Sequence, residues 1–431
     1  MGTDAGPDET ARKAPMRRSL LSGHFWHDIW IAFFIIIVAV GIFMGQGLVI
    51  AFGVMGIAAG AISLIWNRLS LEDVTYERDL SERRVFLNEE VTMTLALTNR
   101  KPIPLAWINV EDEVPDDLHV IQGDIAANVK PNIQTLEHST SMAWYERIRW
   151  RYRLRGARRG LHRVGPARIE SGDPFGFLRS RARNMDNDTV MVYPPIFPLN
   201  DLGIPAARPL GEVRKGLPIF ADISRPAGIR DYVLGDPLKS IDWKATARSG
   251  SLQVRVYEPS STYTVVIVVA VDTATPHWDS YDPENLERVI TAAASVAAFA
   301  TDQRYGVGLF SNDMPITANK PMTVPPSRGR EHLGTILGAL AIVRSYALAP
   351  MSKQLLEYVR RFPLGATLVV CSSFIHEEFV ATLGAVREQG FRIVVLYVGE
   401  GECPALADGI IVHDIRPYMD ELEAAGEPVA G

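Results

Sequence analysis

The sequence predicts a two-helix transmembrane hairpin followed by a β-sandwich-like domain and a doubly wound α/β domain, a mixed fold of the α+β and α/β classes. The 39 residues from Ile29 to Asn67 include no Asp, Glu, Lys or Arg, which is typical of membrane-spanning segments. β-rich runs separated by Pro, Gly, Asn and Asp follow. In the last third of the chain, apolar strands alternate with helical periodicity, the pattern of a parallel sheet covered by helices. We divide the 431 residues into a basic arm at 1–23, the hairpin at 24–68, the β-sandwich-like domain at 71–194, a connecting segment at 195–260 and the α/β domain at 261–425.

The charge-free run is too long for one crossing. As a single helix it would be about 58 Å long, nearly twice the roughly 30 Å hydrocarbon core of a bilayer. Gly45-Gln46-Gly47 marks the break between two arms. Lys and Arg flank both outer ends of the hairpin, and the turn carries none. The lipid bilayer is therefore an expected partner, and we expect a multi-pass protein of the inner membrane whose termini and soluble bulk are cytoplasmic.

The second arm is rich in small residues, including Gly53, Gly56 and Gly60. Such residues allow helices to approach closely. They favour packing within the hairpin, and self-association of two chains through the same face is the alternative.

Charge is distributed unevenly along the chain, whose net charge is −6. Residues 143–183 carry 12 Arg and 3 acidic residues, a balance of +9, and residues 376–431 carry 3 Arg and 11 acidic residues, a balance of −8. The general basic excess of nucleic-acid-binding proteins is absent, so no nucleic acid is expected as a partner. The two cysteines, Cys371 and Cys403, form neither a CxxC pair nor a disulfide framework, as expected of a cytosolic bulk.

One predicted strand alternates arginine with apolar residues. Period two places the apolar Ile148, Trp150, Tyr152 and Leu154 on one face. The other face carries Arg147, Arg149, Arg151, Arg153 and Arg155. This face is either a solvated surface or a binding surface for anionic lipid head groups or an acidic protein. Because the aromatic residues point away from the arginines, they cannot serve as stacking platforms for nucleotides.

The segment RPAGIRDYVLGDPLKSIDWKATARSGSLQVRVYE, residues 225–258, together with RRGLHRVGPARIESGDPFGFLRS and MVYPPIFPL upstream, resembles the bacterial DUF-58 (domain of unknown function) family. The resemblance extends from about residue 159 to the acidic tail. It implies a docking or scaffold element rather than chemistry. The residues that we assign to an interaction site here are Arg230, Asp231, Asp236, Asp242, Trp243 and Arg248.

Three carboxylates of this segment, Asp231, Asp236 and Asp242, could perform acid/base chemistry. Among so many basic residues, a structural network of ion pairs is the favoured interpretation. Trp243 and Arg248 are residue types that dominate protein interfaces. The alternative is that Trp243 is buried and that Arg248 pairs with Asp242.

The C-terminal pattern resembles a von Willebrand factor A-like domain, whose divalent cation is held by Asp-x-Ser-x-Ser after the first strand. Here the corresponding residues are Asp272-Thr273-Ala274-Thr275-Pro276, so both serine positions are lost. The second carboxylate would follow a later strand, where the chain has Cys371-Ser372-Ser373. Hard cations need several oxygen ligands. We therefore expect no metal and no other cofactor, only a vestigial site near Asp272, Thr275 and Ser373.

The resemblance implies a non-enzymatic, membrane-anchored adaptor that works with a MoxR-type AAA+ ATPase in the assembly of envelope complexes. No Walker A, GxSxG or HExxH motif is present. A membrane-associated hydrolase or metal-dependent enzyme using the three aspartates is one alternative. A structural protein that binds anionic lipids through the arginine strand is the other.

Overall fold

The computed structural model describes most of the chain, namely residues 17–19, 24–122, 125–127, 130–184, 186–205, 210, 221–233, 241–259, 263–273, 282–313, 320–347, 349–427 and 429. It divides into two compact units, Met1–Tyr193 and Pro194–Gly431. Asp236 and Thr275, which the sequence assigned to sites, lie outside the described residues.

The first unit begins with an apolar helix pair, α1 (His24–Phe43) and α2 (Gly47–Ser70). Gly45, with φ of 63°, lies in the turn between them. The predicted helix pair is therefore confirmed. By length and composition α2 suffices to cross a membrane, whereas the apolar part of α1 within the described residues is the shorter stretch Trp30–Phe43.

Small residues of α2 face α1 of the same chain. A Cβ at Gly53 would lie 3.1 Å from the backbone nitrogen of Val38, and a Cβ at Gly56 would overlap the Phe34 ring. The close contact of the two helices thus depends on glycine at these positions. In this structure the face that could have mediated self-association is occupied by α1.

Beyond the helix pair, the described residues of the first unit form thirteen strands. They are β1 (Arg17–Ser19), β2 (Val74–Leu80), β3 (Arg84–Phe86), β4 (Glu90–Asn99), β5 (Leu105–Pro115), β6 (Leu118–Val120), β7 (Ile125–Ala127), β8 (Ile133–Met142), β9 (Arg147–Gly156), β10 (Gly160–Val164), β11 (Ala167–Gly172), β12 (Arg179–Asn184) and β13 (Asp188–Tyr193).

These strands form three sheets, with orders β1-β12-β11-β5-β8-β7, β2-β4-β9-β6 and β10-β13-β3. All pairs are antiparallel except the parallel pair of β13 and β3. Alternate residues of β4, β5, β9 and β11 point into a common apolar core, which includes Met93, Leu95, Val110, Leu154 and Ile169. Burial of this shared core holds the sheets together.

Two local features of this unit are set by pairing between distant segments. The β-rich composition of the run Met142–Leu154 predicts one strand, but a turn at Trp144 and Tyr145 divides it, and Tyr145 has φ of 55°. Within the arm expected at 1–23, Arg17–Ser19 pairs with β12 as an edge strand. In each case backbone hydrogen bonding to a partner distant in sequence decides the structure.

The second unit starts with the connecting segment, where β14 (Ala221–Asp231) pairs with β15 (Gln253–Pro259) in an antiparallel ribbon. The short helix α3 (Trp243–Ser249) lies between them in sequence. Asp242 begins α3 as its N-cap, and its carboxylate accepts hydrogen bonds from the backbone N–H groups of Lys244 and Ala245. Gly250, with φ of 75°, ends the helix.

The remainder of this unit is a six-stranded sheet with helices. Its strands are β16 (Thr264–Val269), β17 (Gly306–Ser311), β18 (Met322–Ser327), β19 (Thr367–Ser372), β20 (Arg392–Tyr397) and β21 (Ile411–Asp414). Its helices are α4 (Pro283–Asp302), α5 (Arg330–Ile342), α6 (Met351–Tyr358), α7 (Glu377–Glu388) and α8 (Arg416–Ala424), with a 3₁₀ turn at Val359–Arg361.

The strand order is β18-β17-β16-β19-β20-β21, and every pair is parallel except that of β17 and β18. The predicted mixed α/β content with a parallel sheet is thus confirmed. Side chains from α6 and α7, such as Leu355 and Leu383, join Val266, Val268 and Val370 in one core. The order reverses between β16 and β19, whose carboxyl ends form the crevice where open α/β sheets bind ligands.

Candidate functional site

Asp272 follows β16 at this crevice, and its carboxylate is held by groups of the protein. Oδ2 accepts a hydrogen bond of 2.7 Å from the backbone N–H of Met351, and Oδ1 accepts one from the side-chain amide of Asn312. The Asn312 amide also donates to the carbonyl oxygen of Ala349 at 3.0 Å. The carboxylate that would be the first metal ligand therefore links the segments after β16 and β17 to the start of α6.

Among the described residues, few oxygen ligands for a divalent cation lie near Asp272. Ser373 follows β19 and is buried, and its hydroxyl makes no hydrogen bond among the described residues. Across that same part of the chain, no group of three or more His, Cys, Asp or Glu side chains converges. Thr275, the third residue of the expected vestigial site, lies outside the described residues, so the absence of a bound cation stays a prediction.

Another buried carboxylate of this sheet, Asp313, was not singled out from the sequence. It follows β17, is fully buried and accepts a 3.1 Å hydrogen bond from the backbone N–H of Arg344 through Oδ2. Burial raises the pKa of the Asp313 carboxyl, and that hydrogen bond lowers it by less. Its only sequence signal was an acidic residue directly after an apolar strand.

The five arginines of β9 all lie on the exposed face of their sheet, and the apolar residues between them point inward. Trp150 stacks on His138 with ring centroids 4.4 Å apart, and Tyr152 bonds to the same imidazole. The outer face is thus a charged surface, and Trp150 also borders the open groove that Arg149 and Arg151 line.

Only part of this arginine face is neutralised by neighbouring acids. Arg147 pairs with Glu77 at 3.4 Å, and Arg153 and Arg155 both lie near Glu90. Arg149 and Arg151 form no ion pair with the described residues. They line an open groove of about 760 Å³ whose other lining residues include Thr94, Ala96, Glu77 and Asp79. The groove therefore has basic residues from β9, small residues from β4 and acidic residues from β2.

Two of the three aspartates considered for acid/base chemistry lie close to Gln253. The Asp231 carboxylate accepts hydrogen bonds from the side chains of Gln253 and Ser251. Asp242 uses Oδ1 to cap α3, and its backbone N–H donates to the carbonyl oxygen of Gln253 at 2.8 Å. Both carboxylates thus stabilise local structure of the segment.

Trp243 and Arg248 of the same segment are exposed. The Trp243 side chain is 69% exposed at the first position of α3, and Arg248 lies exposed in the last turn. Trp243 is thus not buried within the core of its own unit, and Asp242, which the alternative paired with Arg248, caps the helix through Oδ1. Burial of Trp243 between the two domains stays an untested alternative. Arg230 is also exposed, and its guanidinium donates to the carbonyl oxygen of Asp231 at 3.0 Å.

A further set of exposed aromatic residues near the hairpin was not singled out from the sequence. Phe175 and Phe177 lie in the turn between β11 and β12, and the Phe177 ring centroid is 4.8 Å from that of Trp30 on α1. Trp144 and Tyr145 lie in the turn before β9. In the sequence these residues are visible only as pairs of aromatic residues near predicted turns. Their exposure depends on how the sheets pack.

Comparison with known proteins supports the family inferred from the sequence. Residues 228–406 match the family described as "Protein of unknown function DUF58". The "Uncharacterized protein YeaD" of Bacillus subtilis (strain 168) is 23% identical over 284 residues, which cover 64% of this chain and 64% of that protein. The match thus spans a little less than two thirds of the length of this curated relative.

Solved structures show only weak similarity. A non-cellulosomal cohesin from Archaeoglobus fulgidus covers 27% of this chain and 91% of its own, with 13% identity and a TM-score of 0.20. The sporulation control protein Spo0M from Bacillus subtilis covers 31% of this chain and 54% of its own, with 14% identity and a TM-score of 0.17. Scores this low do not establish a shared fold.

Proposed function

We propose that this protein is a non-enzymatic, membrane-anchored adaptor that docks a MoxR-type AAA+ ATPase at the cytoplasmic face of the inner membrane during the assembly of envelope complexes. The partner follows from the resemblance to DUF58 proteins. The exposed Trp243 on α3 is the observation that carries the docking site, because a large aromatic side chain at the surface is typical of interface hot spots.

The apolar helix pair supports the membrane anchor. Large apolar side chains of both helices face outward, among them Phe33, Ile36, Phe43, Leu48 and Met55. In water such a surface would be unfavourable, whereas lipid would cover it. Both helices are proposed to cross the bilayer, with α1 recruiting residues before Trp30 to reach the required length.

The sheet order supports a von Willebrand factor A-like domain in the second unit. Five strands are parallel to one another, and the antiparallel β18 lies at one edge. Because Asp272 is bound internally, we propose that this domain acts through its surface and not through a cation.

Docking is tested with the purified full chain in detergent and the ATPase of the same organism. We expect Trp243→Ala to weaken binding about 30-fold or more, corresponding to roughly 2 kcal/mol, and Arg248→Ala to weaken it in the same direction. Since both side chains are exposed, the melting temperature should not change.

Trp144→Ala is the matched control, because Trp144 is 66% exposed and lies in the first unit. It should bind the ATPase like the wild type. Full binding by both variants of α3 would contradict docking at this helix, and absence of binding by the wild-type chain would contradict the ATPase as partner.

The enzymatic alternative has less support. Of its three carboxylates, Asp231 is bonded to Gln253 and Asp242 caps α3. An acid/base pair needs a carboxyl group that can exchange a proton with substrate. Hydrolase activity that is abolished by Asp231→Asn, with the fold intact, would favour this alternative over the adaptor.

Binding of anionic head groups or an acidic protein surface by the arginine face is a second candidate function. Its support is the groove in which Arg149 and Arg151 lack acidic partners among the described residues. Arg149→Gln with Arg151→Gln should reduce salt-sensitive binding more than Arg153→Gln with Arg155→Gln, because the second pair is already partly neutralised by Glu90. Equal effects would show that the face acts only as general positive charge.

A further inference from the structure

The turn between β11 and β12 displays two aromatic rings on a well-fixed backbone. Asp173 is fully buried, and its carboxylate accepts hydrogen bonds from the backbone N–H groups of Phe175, at 3.0 Å, and Leu178. Phe175 and Phe177 remain 53% and 49% exposed, with ring centroids 5.8 Å apart. A buried carboxylate thus holds the turn while its two phenyl rings face outward.

This turn lies against the helix pair. Phe177 contacts Trp30, and a small apolar cavity of about 80 Å³ is lined by residues of both: Trp30, Ile31, Phe34, Gly56, Gly60, Phe177 and Leu178. Just beyond the turn, the Ser180 hydroxyl lies 3.0 Å from the backbone carbonyl of Asn67 near the end of α2. The position of the turn along the helix pair is therefore fixed by two contacts, that of Phe177 with Trp30 and that of Ser180 with Asn67.

Helix geometry gives the depth of the turn in a bilayer. If the apolar core begins at Gly47, 20 residues of α2 at 1.5 Å each reach its other boundary, about 30 Å away, near Asn67. Gly60, which lines the cavity beside Phe177, lies seven residues before Asn67, or about 10 Å on the lipid side. The Phe177 ring would then lie within the outer part of the acyl-chain region, up to about 10 Å inside its boundary with the head groups.

The charge beside the turn suits an anionic membrane surface. Strand β12 starts directly after the turn and exposes Arg179, Arg181 and Arg183, and Arg68 is exposed at the end of α2. Apolar rings bordered by arginines match the order of acyl chains and phosphates in a leaflet.

We propose that the turn Asp173–Leu178 is a third membrane contact, in which Phe175 and Phe177 insert into the same leaflet that surrounds the base of the helix pair. This inference rests on the proposed membrane anchor. The occupant of the aromatic surface is lipid, because Phe177 continues the exposed apolar surface of α1 through its contact with Trp30. Insertion would fix the β domain against the membrane, in addition to its covalent connection to α2.

The test uses the full chain with Cys403→Ser, in which the remaining native cysteine, Cys371, is fully buried. An environment-sensitive fluorophore is attached to Phe175→Cys, or to Phe177→Cys as a second position, in vesicles of phosphatidylcholine and phosphatidylglycerol. The control is Leu161→Cys on β10, since Leu161 is 47% exposed and pairs with Met191. We expect blue-shifted emission and quenching by spin-labelled lipid at residue 175 or 177, and neither effect at residue 161.

The outcomes separate this inference from the anchor itself. If alkaline carbonate leaves the chain in the membrane but the fluorophores at 175 and 177 behave like that at 161, the proposed insertion is wrong and the anchor stands. If carbonate extracts the chain, both are wrong. Blue-shifted emission that lipid-borne quenchers do not affect would identify a protein, such as a second copy, as the occupant and would overturn the proposal.

Discussion

Arg78 and Asp112 form an ion pair in the interior of the first unit. Their side chains are 1% and 0% exposed, and the guanidinium contacts both carboxylate oxygens, Nε at 2.7 Å and Nη2 at 3.0 Å. The Tyr76 hydroxyl donates to the same carboxylate at 2.7 Å. Burial by itself lowers the pKa of the Arg78 guanidinium, but the charge and hydrogen bonds of Asp112, together with the charges of Tyr76 and Asp188, raise it by more, so the pKa is raised. Arg78 is therefore charged at every pH at which the protein folds.

Removing one member of this ion pair should strongly destabilise the folded protein. Arg78→Met leaves the Asp112 carboxylate buried without a cation, and we expect a loss of about 3–5 kcal/mol in the free energy of unfolding, measured by chemical denaturation. Arg83→Met is the control, because Arg83 is 74% exposed and lies 3.7 Å from Asp188; its effect should be about 0–1 kcal/mol. Similar effects of the two substitutions would contradict the role assigned to the buried pair.

Asp313 should make stability depend on pH. Because burial raises its pKa above the unfolded-state value, the folded chain binds the proton more tightly than the unfolded chain. Its contribution to stability is full below the unfolded-state pKa and is lost as the pH rises through the folded-state pKa. Asp313→Asn removes the buried charge, so its melting temperature should exceed that of the wild type at neutral pH.

The difference between Asp313→Asn and the wild type should shrink on acidification, when the native carboxyl becomes protonated. Melting curves across the acidic and neutral range measure this. Asp302→Asn, at an exposed position, should show no such trend. If the melting temperature of Asp313→Asn exceeds that of the wild type by more as the pH falls, the pKa of Asp313 is not raised in the folded chain.

Among the elements, the end of α2 is stabilised by a lysine from the β domain. Lys101 is buried, and its ammonium donates to the carbonyl oxygens of Leu69 and Glu72 at 2.7 and 2.8 Å and to that of Ser70. Helix ends leave such carbonyls without internal partners, and a cation there also complements the helix dipole. Lys101 therefore joins the end of α2 to the β domain, in addition to the contact of Ser180 with Asn67.

Lys101→Met should weaken that junction. The lost charge-assisted hydrogen bonds predict a decrease of about 2–3 kcal/mol in stability, together with faster proteolysis at residues 71–73. Lys353→Met is the control, because Lys353 lies exposed on α6 of the second unit. Unchanged proteolysis of Lys101→Met would show that other contacts hold the junction.

Local patterns predicted those elements whose residues alternate or repeat strongly. The run Val74–Leu80 forms the predicted strand, and β9 places its arginines and apolar residues on opposite faces. By contrast, β18 was missed because its Pro325 and Pro326 are unusual in strands; they are tolerated here at the edge of the sheet. Edge strands depend on a partner distant in sequence, which periodicity does not identify.

At the scale of the whole molecule, the candidate binding surfaces were harder to predict from the sequence than the fold, because exposure of a side chain depends on tertiary packing. The sequence indicated Trp243 as a candidate interface residue, but not its exposure. In the structure Asp242 caps α3, and Trp243, the first residue of the helix, is exposed. Phe175 and Phe177 carried no periodic signal, and their position beside Trp30 arises from the packing of β11 and β12 against the helix pair. Residue type thus indicated candidate chemistry, and packing determined which side chains are available.

The topology of the helix pair is a prediction for the whole molecule. Because α1 and α2 are antiparallel, the start of α1 and the end of α2 lie together, beside the arginines of β12, and the turn at Gly45 without Lys or Arg lies at the other end. The positive-inside rule then places the arginine-rich end in the cytoplasm. We expect alkaline phosphatase to be inactive when fused after Gly431 and active when inserted at Gly45, with a cytoplasmic fluorescent reporter giving the opposite result. Strong phosphatase activity after Gly431 would contradict this orientation, and with it the cytoplasmic docking surface around Trp243.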